Sequence, residues 1–237
     1  MERDRRAHWL EPETALHYAR ATAQVGLWAS ERIMVERHFR RDHRLLEVGA
    51  GAGRAGLGLL RLGFENLTVT DFSPAMVEMA KGVLGESGPG WDRRVEAADM
   101  TALPYPDASF DGVLAAFNGL MCLRGRADRE QALREIRRVL RPGGRLVFSA
   151  NDRERGDNRS DWARHAPAAG LEAGERWHES TTSPVFMRSC TEEEIRTELE
   201  AAGLRPLESA LTTELADDGA AVREFAGISR LYAAERP

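Results

Sequence analysis

The sequence predicts an α/β fold: a doubly wound, mostly parallel seven-stranded sheet with an N-terminal helical cap and an insertion after the fifth strand. Three observations predict it. Apolar and β-branched runs alternate with helical patterns from residue 44 to 150, and such alternation gives parallel strands joined by right-handed crossovers. The first run leads into glycines at every second position, "LLEVGAGAGRAG" at 45–56. Two further strand candidates, 205–213 and 228–234, bring the count to seven.

In residues 13–39, Leu16, Ala19, Ala23, Leu27, Ile33, Met34 and Phe39 recur near helical spacing, with charges between them. Gly26 marks a bend or a break in this cap, which spans 1–43. The first strand, 44–49, opens the core. "AGLGLLRLGF" reads as a short buried helix closing at Gly63, and "NLTVTDF" (66–72) as a strand ending in Asp71. Ser73 then caps a helix with Pro74 at its first position. "RRVEAADM" (93–100) is a third strand ending near Asp99, and "FDGVLAAFN" (110–118) a fourth. An amphipathic helix at 126–144 stops at Pro142 and two glycines, and "GRLVFSA" (144–150) is the fifth strand. Residues 152–190 form a polar insertion or lid with Trp162, His165, Trp177 and His178. Thr191 caps a helix over 191–204, which begins the C-terminal part, 191–237. The chain of 237 residues reads as a single domain with its core at 44–151.

Composition narrows the function classes. The net charge is −5, which argues against a general nucleic-acid binder. Arg124, Arg126, Arg129, Arg134, Arg137, Arg138 and Arg141 alternate with acids and read as a solvated helix face. No apolar run reaches the roughly 18 residues of a membrane span, and the charged N-terminus lacks a signal-peptide core. Cys122 and Cys190 form no CxxC pair and read as reduced thiols, so a cytoplasmic location is expected. The chain has no HExxH and no Cys/His cluster, so no metal is indicated.

A strand that turns through glycines into a helix puts backbone N–H groups at the carboxyl edge of a parallel sheet, where ligands bind. Glycine permits positive φ and close approach of a ligand. Gly51, Gly53 and Gly56 match a dinucleotide GxGxxG, but that pattern begins two residues beyond the strand end. In "EVGAGAG" the alternating glycines start at the strand end instead.

"LLEVGAGAGRAG" resembles the first motif of the class I S-adenosylmethionine-dependent methyltransferases. The resemblance continues in order through "VTDFSPAMVEMAK", "AADMTALPYPDASFDGVLAAFNGL" and "LREIRRVLRPGGRLVFS", covering 44–150. "LPYPDASFD" followed by "RVLRPGG" resembles the small-molecule branch of that family. The resemblance implies a Rossmann-like methyltransferase fold, S-adenosylmethionine as cofactor with S-adenosylhomocysteine as product, and a small-molecule acceptor.

It also implies roles. Gly49, Ala50, Gly51 and Gly53 would pass the methionine part, with Glu47 beneath it near the amino group. Asp71 would accept from both ribose hydroxyls, and Phe72 and Met76 would pack on the adenine. Asp99 would accept from the adenine amino group, with Met100 beside it. Phe117 and Asn118 would face the methyl group and the acceptor. The acceptor site would draw on parts outside the common core: Tyr18, Trp28, Met121, Trp162, His165, Trp177 and His178. Tyr18 resembles a tyrosine placed over the cofactor carboxylate in several small-molecule methyltransferases. "AFNG" stands where "NPPY" or "DPPY" would mark nucleobase or glutamine acceptors. Methyl transfer by in-line displacement needs no obligatory catalytic triad. Two alternatives stay open: a nicotinamide-dependent oxidoreductase using Gly51, Gly53 and Gly56, and a cofactor-binding protein of this fold without transfer activity.

Overall fold

The computed structural model describes residues 7–123, 125–155, 170–178, 184–222 and 228–237, apart from the side chains of residues 21, 23 and 24. The cap is two helices. Helix α1 (Pro12–Val25) has proline in its first turn and ends at Gly26, whose φ of 55° only glycine adopts without strain. Helix α2 (Ala29–His38) starts three residues later, with the Glu31 carboxylate accepting from the Trp28 backbone N–H at 3.0 Å. Gly26 is therefore a break rather than a bend.

The core follows as strands β1 (Leu45–Val48), β2 (Leu67–Asp71), β3 (Val95–Ala97), β4 (Phe110–Ala115) and β5 (Leu140–Asp152). Helices α3 (Arg54–Arg61), α4 (Pro74–Ser87) and α5 (Arg126–Val139) connect them. Ser73 caps α4 as its sequence position predicts, its side chain accepting from Met76 N–H. These five strands pair in parallel in the order β3-β2-β1-β4-β5. Helix α6 (Glu192–Ala201) carries the Thr191 cap, with Glu194 returning a bond to the Thr191 backbone N–H. Strand β8 (Arg205–Leu211) and strand β9 (Ser229–Glu235) complete the sheet, β9 running antiparallel to both β5 and β8. A one-turn helix, α7 (Thr212–Leu215), follows β8.

The seven predicted strands thus form one sheet, β3-β2-β1-β4-β5-β9-β8. Two more strands lie inside the insertion: β6 (Glu175–His178) and β7 (Val185–Cys190). They form an antiparallel hairpin, and the end of β7 pairs in parallel with the tip of β5 through Asn151–Ser189 and Asp152–Cys190. Residues 152–190 are therefore partly sheet, where the sequence alone predicts only a polar insertion. The polar sequence hid these strands because buried charges, Glu175 and Arg188, stand in them beside the apolar Phe186 and Cys190.

Strand β5 also starts earlier than its sequence pattern predicts. Helix α5 stops at Val139, and Pro142 to Gly144 already lie in the strand. The chain end supplies their partner: Gly143 N–H donates to Arg236 O at 2.8 Å and Arg236 N–H to Gly144 O at 2.9 Å.

Alternation along the strands divides two cores. Leu46, Val113, Leu146 and Phe148 pack with α5 and α6 on one face. Leu45, Leu114, Val147 and Leu231 pack with α2, α3 and α4 on the other. A sheet with helices on both faces opens its binding crevice at the carboxyl ends of the strands where the order reverses, here between β1 and β4.

Arg129 overturns the reading of the α5 arginines as a solvated face. Its side chain is 1% exposed and meets Glu175 at 3.0 Å, Glu172 at 3.3 Å and Glu198 at 3.5 Å. Arg188 joins the same buried group through Glu198. This network ties the hairpin to α5 and α6. The neighbouring Arg126 and Arg134 do lie at the surface, both against Glu130. Among the described residues, no helix is long and apolar enough to cross a membrane. Cys122 and Cys190 are free thiols.

Candidate functional site

A cavity of about 980 Å³, counted to its open mouth, lies at the carboxyl ends of β1, β2 and β4. Strand β1 and the glycine turn contribute Glu47, Gly49, Ala50 and Gly51. The end of β2 and the start of α4 contribute Asp71, Phe72 and Met76. Asp99 and Met100 enter from the loop after β3, Phe117 from the end of β4, and Tyr18 from α1.

The glycine turn is built by backbone conformation. Gly49, Gly51 and Gly53 all have positive φ, at 63°, 56° and 83°. A Cβ on Gly49 would stand 2.8 Å from Met100 Cε, whereas a Cβ on Gly51 would enter open space. Gly51 thus leaves room that a ligand can occupy. Gly53 serves packing instead: a Cβ there would meet Leu84 Cδ1 at 2.8 Å, so its absence lets α3 lie close on α4. Gly53 does not line the cavity, contrary to the role the motif implies.

Two carboxylates anchor the floor. Asp71 is 7% exposed; its Oδ2 accepts from Gly51 N–H at 2.8 Å and its Oδ1 from Ser73 N–H at 2.9 Å. Glu47 is 1% exposed, and its Oε2 has no hydrogen-bond partner among the described residues. Burial pushes the Glu47 carboxyl up to about 8; the Arg54 charge opposes this, and Glu31 and Asp71 reinforce it. Desolvation holds this carboxyl toward its neutral form, with the backbone of Gly56 as well as Arg54 opposing it. Asp99 Oδ1 caps its own loop by accepting from Thr101 N–H at 3.0 Å and Thr101 Oγ1 at 2.8 Å.

Several predicted site residues lie elsewhere. Phe117 and Asn118 have consecutive positive φ values of 49° and 61°. That turn carries the Asn118 side chain under the sheet edge, where Nδ2 donates to Asn151 Oδ1 at 3.2 Å. Phe117 remains in the cavity wall and Asn118 does not. Met121 is a core residue, 2% exposed and in contact with the Cys190 sulfur at 3.3 Å. Trp28 is 2% exposed behind the wall, edge-on to Phe117 at 5.4 Å. Trp177 and His178 sit on β6, Trp177 packing on Phe186, and neither lines the cavity. Trp162 and His165 lie outside the described residues.

The wall also holds Cys122 and Leu123, from the loop "FNGLMCL" (117–123) that the sequence offers for the acceptor site, and three residues that sequence reasoning missed: Trp9, Thr22 and Arg54. Arg54 follows the glycine turn directly, and that position was its one available signal. Its guanidinium is bidentate on Glu31 at 2.6 and 2.7 Å, donates to Gly26 O at 2.7 Å, and lies 4.7 Å over the Trp28 ring. No spacing pattern links Glu31 to Arg54. Burial raises Tyr18 well above its ordinary value and pushes Cys122 up to about 12, so both keep their protons at neutral pH. Among the described residues no group of His, Cys, Asp and Glu could hold a metal ion.

The fold and the cavity define a doubly wound α/β domain with a cavity set against a glycine turn and a strand-end carboxylate. Residues 46–148 match the family described as "Methyltransferase domain". A demethylmenaquinone methyltransferase of Deinococcus radiodurans is 41% identical over 106 residues, 44% of this chain and 42% of that protein. A 27-O-demethylrifamycin SV methyltransferase of Amycolatopsis mediterranei is 35% identical over 170 residues, 71% of this chain and 56% of that protein. The chain spans about half the length of these curated relatives. The crystal structure of the glycopeptide N-methyltransferase MtfA in complex with S-adenosylmethionine shares the fold at a TM-score of 0.66 and 22% identity, over 90% of this chain and 95% of that chain. Over residues 46–148 the chain is thus similar to methyltransferase domains, and its fold is shared with the S-adenosylmethionine-bound MtfA structure. The nicotinamide reading of Gly51, Gly53 and Gly56 is not favoured by these relatives, all methyltransferases; the close packing of Gly56 on Glu47 and Val69 suits either reading.

Proposed function

We propose that the protein is a methyltransferase that binds S-adenosylmethionine in this cavity and transfers the methyl group to a small-molecule acceptor. The observation that carries the reading is the buried Glu47 carboxyl, whose Oε2 has no hydrogen-bond partner among the described residues, in a cavity whose glycine turn is hydrogen-bonded to Asp71. Glu47 receives the ammonium of the methionine part. Asp71 accepts from the ribose hydroxyls, for which a carboxylate has about four lone-pair sites. Phe72 and Met76 pack on the adenine, with Asp99 and Met100 at its edge. Gly51 gives the space through which the chain of the cofactor passes.

When bound, the cofactor supplies a methyl group already activated on a sulfonium. The residues therefore have to hold the acceptor and the methyl carbon in line, an orientation effect worth roughly 7–11 kcal/mol of barrier. Phe117, Tyr18, Thr22, Cys122 and Leu123 form the part of the wall nearest the cap and shape the acceptor side. Neither Tyr18 nor Cys122 serves as a base at neutral pH, since both hold their protons. The names of the two curated relatives, which refer to demethylmenaquinone and demethylrifamycin, support a small-molecule acceptor.

Calorimetric titration with S-adenosylhomocysteine and with NADH tests the cofactor: binding of the first and not the second is expected. Transfer of a labelled methyl group to members of a metabolite panel tests the reaction. Binding without transfer to any acceptor would favour a cofactor-binding protein of this fold.

A further inference from the structure

Two polar atoms belonging to residues of the cavity wall are buried without a hydrogen-bond partner among the described residues. One is the acceptor Glu47 Oε2; the other is the donor Trp9 Nε1. Trp9 stands in a 3₁₀ turn, Ala7–Leu10, just ahead of α1. Its neighbours fix the ring: His8 is edge-on at 4.9 Å and 82°, and Tyr18 lies at 5.6 Å and 49°. Buried indole N–H groups usually find an acceptor, and one left unmet costs about 1–3 kcal/mol. The site therefore presents one unmet donor and one unmet acceptor.

That pairing matches the two ends of an α-amino acid. We infer that Trp9 Nε1–H donates to the carboxylate of the cofactor's amino-acid end, while Glu47 receives its ammonium. The inference rests on the cofactor reading above. Arg54 is the one guanidinium in the described wall, and it is committed to Glu31 and to Gly26 O. The carboxylate is thus met by a neutral donor on the cap. Its binding would couple the turn before α1 to the sheet floor that carries Glu47.

The test compares two ligands on two proteins. S-adenosylhomocysteine carries the amino-acid end, and 5′-methylthioadenosine keeps the adenosine and thioether without it. Trp9→Phe retains an aromatic ring and removes the N–H. Its affinity for S-adenosylhomocysteine should fall about tenfold, as for a lost bond to a charged group, with affinity for 5′-methylthioadenosine unchanged. In the wild-type protein, the indole ¹H–¹⁵N resonance that is missing from Trp9→Phe should move downfield with S-adenosylhomocysteine and not with 5′-methylthioadenosine. Equal losses for both ligands, or no loss for either, would overturn the inference. Failure of the wild-type protein to bind S-adenosylhomocysteine would instead refute the cofactor reading itself.

Discussion

The backbone N–H of Gly51 donates to Asp71 Oδ2 at 2.8 Å, joining the glycine turn after β1 to the carboxylate that ends β2. The bond spans adjacent parallel strands and fixes the turn against the crevice. It also orients the carboxylate, since Ser73 N–H holds its other oxygen.

Asp71→Ala should therefore weaken the site twice, by removing the acceptor for the ribose hydroxyls and by releasing the turn. Loss of bonds to a charged group predicts about 1.5–3 kcal/mol, or at least tenfold in affinity for S-adenosylhomocysteine. Calorimetry on the folded variant measures it. Wild-type affinity would remove Asp71 from the ligand site.

Gly51 and Gly53 should separate binding from folding. A Cβ at Gly51 meets nothing within 4 Å, so Gly51→Val should fold, with strain from its φ of 56°, and should fail to bind cofactor because the side chain fills the ligand's space. A Cβ at Gly53 would stand 2.8 Å from Leu84 Cδ1 and 3.2 Å from Ala80 Cβ, so Gly53→Val should lower the melting temperature. Thermal unfolding and ligand titration of both variants give the contrast. Equal loss of stability in the two would show that the turn is structural throughout.

Cofactor binding should be linked to protons through Glu47. Its carboxyl is raised from 4.5 to about 8 in the folded protein, so the folded state holds a proton that the unfolded state has released across that interval. Stability of the ligand-free protein should fall as pH rises from about 4.5 to about 8 and level off above. Binding an ammonium favours the ionised form. Each cofactor bound below pH 8 should then release close to one proton, and affinity should climb by up to about tenfold per pH unit before flattening. Titrations in buffers of different ionisation heat measure the release. Glu47→Gln should bind weakly and release none; an undiminished proton release in that variant would assign it to another group.

Breaking the network at Arg129 should cost much more than removing a surface arginine. Arg129→Met leaves Glu175 without its buried partner, and loss of one member of such a pair costs about 3–5 kcal/mol. Arg134→Met, at the surface beside Glu130, should stay within about 0.5 kcal/mol of wild type. Chemical denaturation of the two variants compares them. Similar values would mean that solvent reaches Glu175. For the same reason, shortening the insertion through β6 would strip Arg129 of Glu172 and Glu175, leaving it Glu198 alone, and unsettle the domain.

The sequence by itself determined seven strands of the sheet, its two helical layers and the glycine turn. Those depend on local signals: alternation along strands, helical periodicity, Ser73 and Thr191 as caps, and glycines at strand ends. Glu47, Asp71, Phe72, Met76, Asp99 and Met100, which the resemblance of the motifs around them singles out, all line the cavity. The tertiary structure decided what depends on contacts distant along the chain. Asn118 and Met121 follow the same loop as Phe117, yet consecutive positive φ values turn Asn118 beneath the sheet and Met121 packs into the core. Trp9 reaches the cavity and Trp28 stops behind it, although both belong to the same cap. Arg54 with Glu31, and Arg129 with Glu175, are charged residues that sequence patterning assigns to the surface. They are buried because each finds a partner 23 or 46 residues away, and a buried charge is set by the geometry of that partner, which no local spacing encodes.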